Sequence, residues 1–173
     1  RVFENEHFML NKDWKFNEGD DIKTLYCLAI PRQRDLKSIR DLTASNLPML
    51  KSILDESYPA IEKMFGVPKE KLKAYFHYQP TYYHLHIHFV HVEQQGLINA
   101  RESIGLEDVI FNIEMASDYY QRAPLTYAIG HLHALFKILT SNGVKMVLAE
   151  PPTPVEAPIE ESKAEVPVHT EEA

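Results

Sequence analysis

His84-Leu85-His86-Ile87-His88-Phe89-Val90 alternates imidazole with apolar side chains at a period of two. Successive side chains of a β-strand point to opposite faces. The spacing therefore predicts a strand over 83–92, with His84, His86 and His88 on one face and Leu85, Ile87 and Phe89 on the other. At a rise of about 3.3 Å per residue, neighbouring histidines stand roughly 6.6 Å apart. The apolar face docks on a core and holds the strand still. The other face presents imidazoles, whose ordinary pKa of about 6.5 permits proton exchange at neutral pH. His91 breaks the even-numbered register and is expected on the opposite face.

Three chemistries use such a run. It is the polar face of an amphipathic strand, a His-x-His pair donating two ligands to zinc or a related ion, or a nucleophilic imidazole positioned by its neighbours. The run holds no acidic residue, and the one cysteine, Cys27, is far away in sequence; the expected metal set is none. A nucleophilic imidazole attacks through the nitrogen without a proton, and its other nitrogen must hold the proton and be oriented by an acceptor. The central residue of the three, His86, has a histidine on each side.

Working outward, 72–78 reads as a strand joined to the histidine strand by a hairpin-like connection over 79–82, an antiparallel pair. His77 then lies near the histidine face. Residues 7–10 and 25–30 read as strands, the second stopped by Pro31, and Asn11-Lys12-Asp13 as a turn. Thr43 is placed as the cap of a helix carrying Leu47, Leu50, Ile53, Leu54, Ile61, Met64 and Phe65 near helical spacing, with Pro59 as a possible kink and Gly66 and Pro68 as the stop. Residues 94–105 read as loop, 106–115 and 132–139 as helices, and 125–129 as a strand. His131 and His133 flank the start of the last helix and are expected to cap it or lie exposed. Antiparallel strands with segregated helices give an α+β fold.

The chain has 173 residues, 45% of them apolar, which suits one domain and an appendage. A single cysteine rules out an internal disulfide framework and fits a reducing compartment. No apolar run approaches the roughly 18 residues of a membrane span. The formal charge of −7 is unevenly spread. From Ala149 onward there are seven acidic residues and one lysine, or −6, which leaves about −1 for the rest. The near-neutral part has no basic stripe for a long nucleic acid and suits a small ligand. The acidic, proline-rich segment 147–173 is expected to be disordered. The chain opens at Arg1 without a methionine, and is expected to be a fragment.

The seven residues 84–90 match the signature of the histidine-triad family, His-φ-His-φ-His-φ-φ with φ apolar. Further segments resemble its scavenger mRNA-decapping branch, in family order: Leu25-Tyr26-Cys27-Leu28-Ala29-Ile30, Ser38-Ile39-Arg40-Asp41-Leu42-Thr43, His77-Tyr78-Gln79-Pro80-Thr81-Tyr82-Tyr83, Tyr119-Tyr120-Gln121-Arg122 and Leu125-Thr126-Tyr127-Ala128. The resemblance implies a dimeric α+β histidine-triad fold over 1–146 and a cytoplasmic and nuclear hydrolase. It would cut the triphosphate bridge of 7-methylguanosine-capped dinucleotides or short capped RNA, with no cofactor. The resemblance gives His86 the nucleophile's role, with His84 and His88 expected to orient it, hold phosphate oxygens or assist proton transfer.

Asp13-Trp14-Lys15 aligns with the family's acidic-apolar-lysine segment, in which the lysine reaches phosphate and the acid reaches the cap base. Trp14 stands where an aliphatic residue is usual. It offers either a stacking face for the cationic base or an aromatic for a core or dimer interface. His77, Thr81 and Tyr82 are further candidate phosphate contacts. In the family, other base-recognition residues and an amino-terminal domain lie upstream of the segment matching Arg1-Val2-Phe3-Glu4-Asn5. Three alternatives remain beside this reading: a general histidine-triad hydrolase of dinucleoside polyphosphates or phosphoramidates, a cap-binding module whose hydrolysis is incidental or lost, and a metal-dependent hydrolase.

Overall fold

The computed structural model describes residues 1–94 and 103–145. The described residues fall into two compact units, one up to residue 129 and a second from residue 130. The expected disorder of 147–173 falls outside the described residues, as does most of the loop expected over 94–105.

Among the described residues the first unit has six strands: β1 (Phe3–Glu4), β2 (Phe8–Lys12), β3 (Tyr26–Pro31), β4 (Leu72–His77), β5 (Ile87–His91) and β6 (Ser103–Gly105). They lie in the order β1-β2-β3-β5-β4-β6, every neighbouring pair antiparallel. The expected α+β class with an antiparallel sheet is therefore what the chain adopts. Residues directly opposite in an antiparallel ladder share a face. Leu10 faces Ala29, Ala29 faces Ile87, and Cys27 and Ala74 face Phe89; all are fully or almost fully buried. The other face carries Tyr26 opposite Val90, and Leu28 and Tyr75 opposite His88. His91 pairs with Leu72 on the packed face, away from His88, as its register requires.

Helix α1 (Leu47–Phe65) covers the packed face, contacting β2 and β3. Its buried stripe, Met49, Leu50, Ile53, Tyr58 and Ile61, follows helical spacing. Tyr58 meets Phe89 edge-on at 5.3 Å between centroids. Burying a side chain the size of Phe89 contributes about 1.5–3 kcal/mol, which is why the sheet is tightly held here. Gly66, at φ 70°, ends the helix and returns its N–H to the Glu62 carbonyl. Pro59 lies inside α1 on an exposed turn, where the Asp55 carbonyl it leaves without a donor can face water. Helix α2 (Leu106–Met115) has the expected bounds and buries Leu106, Val109, Ile110 and Ile113. A short α3 (Tyr119–Arg122) follows. The Arg40 guanidinium ties it down, donating to the Tyr120 and Ala123 carbonyls at 2.7 Å each and to the Tyr78 hydroxyl at 3.2 Å. Three of the segments that carry the family resemblance thus meet at one arginine. In the second unit, α4 (Ala134–Ser141) is capped by His133, whose Nδ1 accepts from Leu135 N–H.

Five expectations need correction. The loop expected over 94–105 gives way at its end to β6, because Ser103–Gly105 pair with β4. The histidine strand is shorter than 83–92: it begins at Ile87, because Leu85 gives its N–H to the Leu36 carbonyl instead of to a sheet neighbour. Only His88 of the three histidines stands in the ladder; His84 and His86 lie on the lead-in. The turn expected at residues 11–13 begins later, since the β2 ladder continues to Lys12 opposite Cys27. Thr43 precedes a 3₁₀ turn (Ala44–Asn46) that runs into α1, so Asn46 occupies the cap position of the helix. Residues 125–129 form no strand: strand propensity needs a hydrogen-bonding partner, and this stretch has none among the described backbone pairs.

Candidate active site

His86 is anchored locally. Its Nδ1 lies 2.7 Å from the carbonyl oxygen of His84. A carbonyl only accepts, so Nδ1 carries the proton and Nε2 holds the lone pair. The bent lead-in makes this contact possible, because a fully extended strand turns successive carbonyls away from the side chain two residues on. The expectation that the His84 imidazole orients His86 is thus replaced: the orienting group is the His84 backbone. His86, His77 and Leu85 also line a narrow cleft closed by Lys37, Ser38, Ile39, Phe76 and Pro80.

His88 is 4% exposed and sits in a stack of rings. Tyr75 lies parallel to it at 5.1 Å between centroids, Tyr26 at 5.6 Å and His77 at 4.2 Å, while His86 meets it edge-on at 4.9 Å. The Tyr26 hydroxyl is 2.5 Å from His88 Nδ1. Burial pushes the His88 pKa down to about 2, and the neighbouring His77, His86 and Lys15 push in the same direction. Burial thus favours the neutral form of His88. Burial also raises the Tyr75 phenol to about 12, and raises Tyr26 strongly, with Tyr75 and Asp13 adding to the effect on Tyr26. Both stay protonated phenols.

Asp13, 8% exposed, shapes the turn that delivers Lys15. Its N–H donates to the Tyr26 carbonyl at 2.9 Å, and its Oδ1 accepts from the Lys15 N–H at 2.9 Å. The turn places Lys15 Nζ 5.2 Å from the Tyr26 ring centroid, beside the histidine cluster. One carboxylate oxygen of Asp13 is thus engaged inside the protein. Trp14 projects outward, 80% exposed, which removes the core alternative for it. Thr81 and Tyr82 are exposed on the 78–86 connection, Tyr82 by 77%.

The structure gathers His77, His86, His88 and Lys15, and leaves Trp14, Thr81 and Tyr82 on the rim. Sequence reading missed Tyr26 and Tyr75 as walls of the site. Their signal was register: Tyr75 pairs directly with His88, and Tyr26 lies two positions along β3 from the residue that pairs with it. Among the described residues, no group of three or more His, Cys, Asp or Glu side chains is arranged to hold a metal ion.

Residues 1–104 match a family described as scavenger mRNA decapping enzyme, C-term binding. The chain is 42% identical over 124 residues to the m7GpppX diphosphatase of Ascaris suum, covering 71% of this chain and 41% of that protein. It is 42% identical over 134 residues to the Bos taurus protein of that name (74% and 39%), and 38% over 144 residues to the Homo sapiens one (80% and 42%). The chain spans about two fifths of the length of these relatives.

Proposed function

The chain belongs to the scavenger mRNA decapping enzyme C-terminal family, and from that premise we propose that it hydrolyses the 5′-5′ triphosphate bridge of 7-methylguanosine-capped dinucleotides or short capped RNA. The observation that carries the reading is the tether of His86 Nδ1 to the His84 carbonyl, which leaves the Nε2 lone pair as the nucleophile.

His86 Nε2 attacks the phosphorus attached to 7-methylguanosine. The bridging P–O bond breaks, and its electron pair leaves with the nucleoside diphosphate or shortened RNA end. The methylguanosine phosphoryl group is now bonded to His86 Nε2, and the ring gains positive charge, which the His84 carbonyl stabilises through Nδ1–H. Water then attacks phosphorus and gives up a proton to solvent, the N–P bond breaks, and its electron pair returns to Nε2 as 7-methylguanosine monophosphate departs. Transition-state charge collects on the non-bridging oxygens. Lys15 supplies the compensating charge, and His77 is a further contact. Thr81 and Tyr82 reach phosphate from the rim. Trp14 offers an exposed indole to the cationic base, and Asp13 a carboxylate to its edge.

The finer architecture belongs to the same proposal: a histidine-triad fold over 1–146, working as a homodimer in the reducing cytoplasm and nucleus. The free, buried Cys27 is consistent with that compartment. Chromatography of m7GpppG after incubation with the chain tests the reaction. The expected products are 7-methylguanosine monophosphate and guanosine diphosphate in equal amounts. Intact m7GpppG, or cleavage that leaves the phosphate on the wrong side, rejects it.

A further inference from the structure

A neutral imidazole has one N–H donor and one lone-pair nitrogen. His88 Nδ1 contacts the Tyr26 hydroxyl, and His88 Nε2 is buried with no hydrogen-bond partner among the described residues. Two proton arrangements fit the short contact. If Nδ1 donates, the phenol hydrogen lacks an acceptor and the Nε2 lone pair lacks a donor, leaving two unmet buried groups. If the phenol donates, only the Nε2–H is unmet. Leaving buried polar groups unmet is costly, so the second arrangement is favoured. Burial keeps the Tyr26 proton on its oxygen, and His88 uncharged.

We propose that Tyr26 is a positioning residue for the nucleophile: it donates to His88 Nδ1, fixes the Nε2–H tautomer of His88, and so locks the ring against which His86 stands edge-on. Rotating the His88 ring would break the Tyr26 bond and disturb the stack with Tyr75 and His77. The His86 ring is held at two places, by its Nδ1 tether and by this neighbour. Their relative placement sets the direction of the Nε2 lone pair, and a misdirected nucleophile loses rate without losing substrate affinity. The effect on rate rests on the reading of His86 as nucleophile; the tautomer of His88 does not.

Proton-nitrogen correlation spectra of the 173-residue chain, labelled with nitrogen-15 in its histidines, read both rings without substrate. The expected wild-type spectrum shows His88 protonated at Nε2 and His86 at Nδ1. In Tyr26→Phe, His88 becomes a mixture of tautomers, the His86 ring signals move, and kcat on m7GpppG falls about tenfold or more while KM stays within about twofold. A wild-type His88 protonated at Nδ1 overturns the proposal, even if Tyr26→Phe fails to fold. So does a folded Tyr26→Phe protein with unmoved His86 signals or unchanged kcat. A wild-type chain with the expected spectra and no turnover strikes the hydrolase reading while supporting the arrangement of protons.

Discussion

The anchored half of the site and its rim are built differently. His86 is tethered by its own backbone, His88 is clamped among three rings and a phenol, and Lys15 is delivered by a turn that a buried aspartate holds. Trp14, Thr81 and Tyr82 stand in solvent. Groups that must be aimed at a reacting atom gain most from rigid placement, because small errors in geometry cost large factors in rate. Groups that grip a ligand can be ordered by it. The anchored half should therefore control kcat and the rim KM.

The largest effect expected is at His86. His86→Asn keeps a polar side chain and removes the nucleophile, so kcat for m7GpppG should fall by roughly 10³-fold or more, with binding retained in equilibrium titration. Near wild-type turnover would contradict covalent catalysis. Next is Lys15→Ala, for which a loss of about 10²-fold in kcat is expected from removing one stabilising charge; a change confined to KM would move Lys15 to the rim. Trp14→Ala should raise KM by about 3- to 30-fold, the equivalent of roughly 0.5–2 kcal/mol of stacking and cation–π energy, and leave kcat nearly unchanged. If KM does not respond, the exposed indole has another purpose.

Stability should carry the mark of the clamped ring. The folded chain holds His88 neutral down to about pH 2, with Lys15, His77 and His86 facing it, whereas the unfolded chain protonates it near about 6.5. Between those values the unfolded state binds the extra proton. The stabilisation from His88 is thus complete above about pH 6.5 and is lost progressively as pH falls toward 2, changing the folding equilibrium by at most about tenfold per pH unit. Denaturation at pH 7.5 and pH 5 should show this fall in wild type and a shallower one in His88→Gln. Equal slopes would mean that His88 is charged when folded. The smallest effect is assigned to residues 149–173: their acids and prolines suit neither a core nor a phosphate ligand, so deleting them should change turnover by less than about twofold, or roughly 0.4 kcal/mol of barrier.

The strand in the second half of the period-two run, the helical spacing of α1 and the bounds of α2 were legible in the sequence because each pattern reports one local geometry. So was the opposite facing of His91. What was not legible depends on register and tertiary hydrogen bonds. Nothing local in Leu85 says that its N–H goes to Leu36, yet that bond ends the strand and lets the His84 carbonyl reach His86. Tyr26 and Tyr75 are ordinary strand aromatics until the pairing of β3, β5 and β4 sets them around His88. Residues 125–129 had strand composition and no backbone partner among the described residues, and short strands such as β1 and β6 are defined by their partners alone.

The covalent catalysis proposed at His86 Nε2 can be caught in the act. Mixing excess chain with m7GpppG, quenching in alkali within the first turnover and sequencing the peptides by mass should place a 7-methylguanosine phosphoryl group on His86, in an amount that rises and then decays as 7-methylguanosine monophosphate appears. Product formed at the same rate with no adduct on His86, or with the adduct on another residue, would show that the tethered imidazole is not the nucleophile.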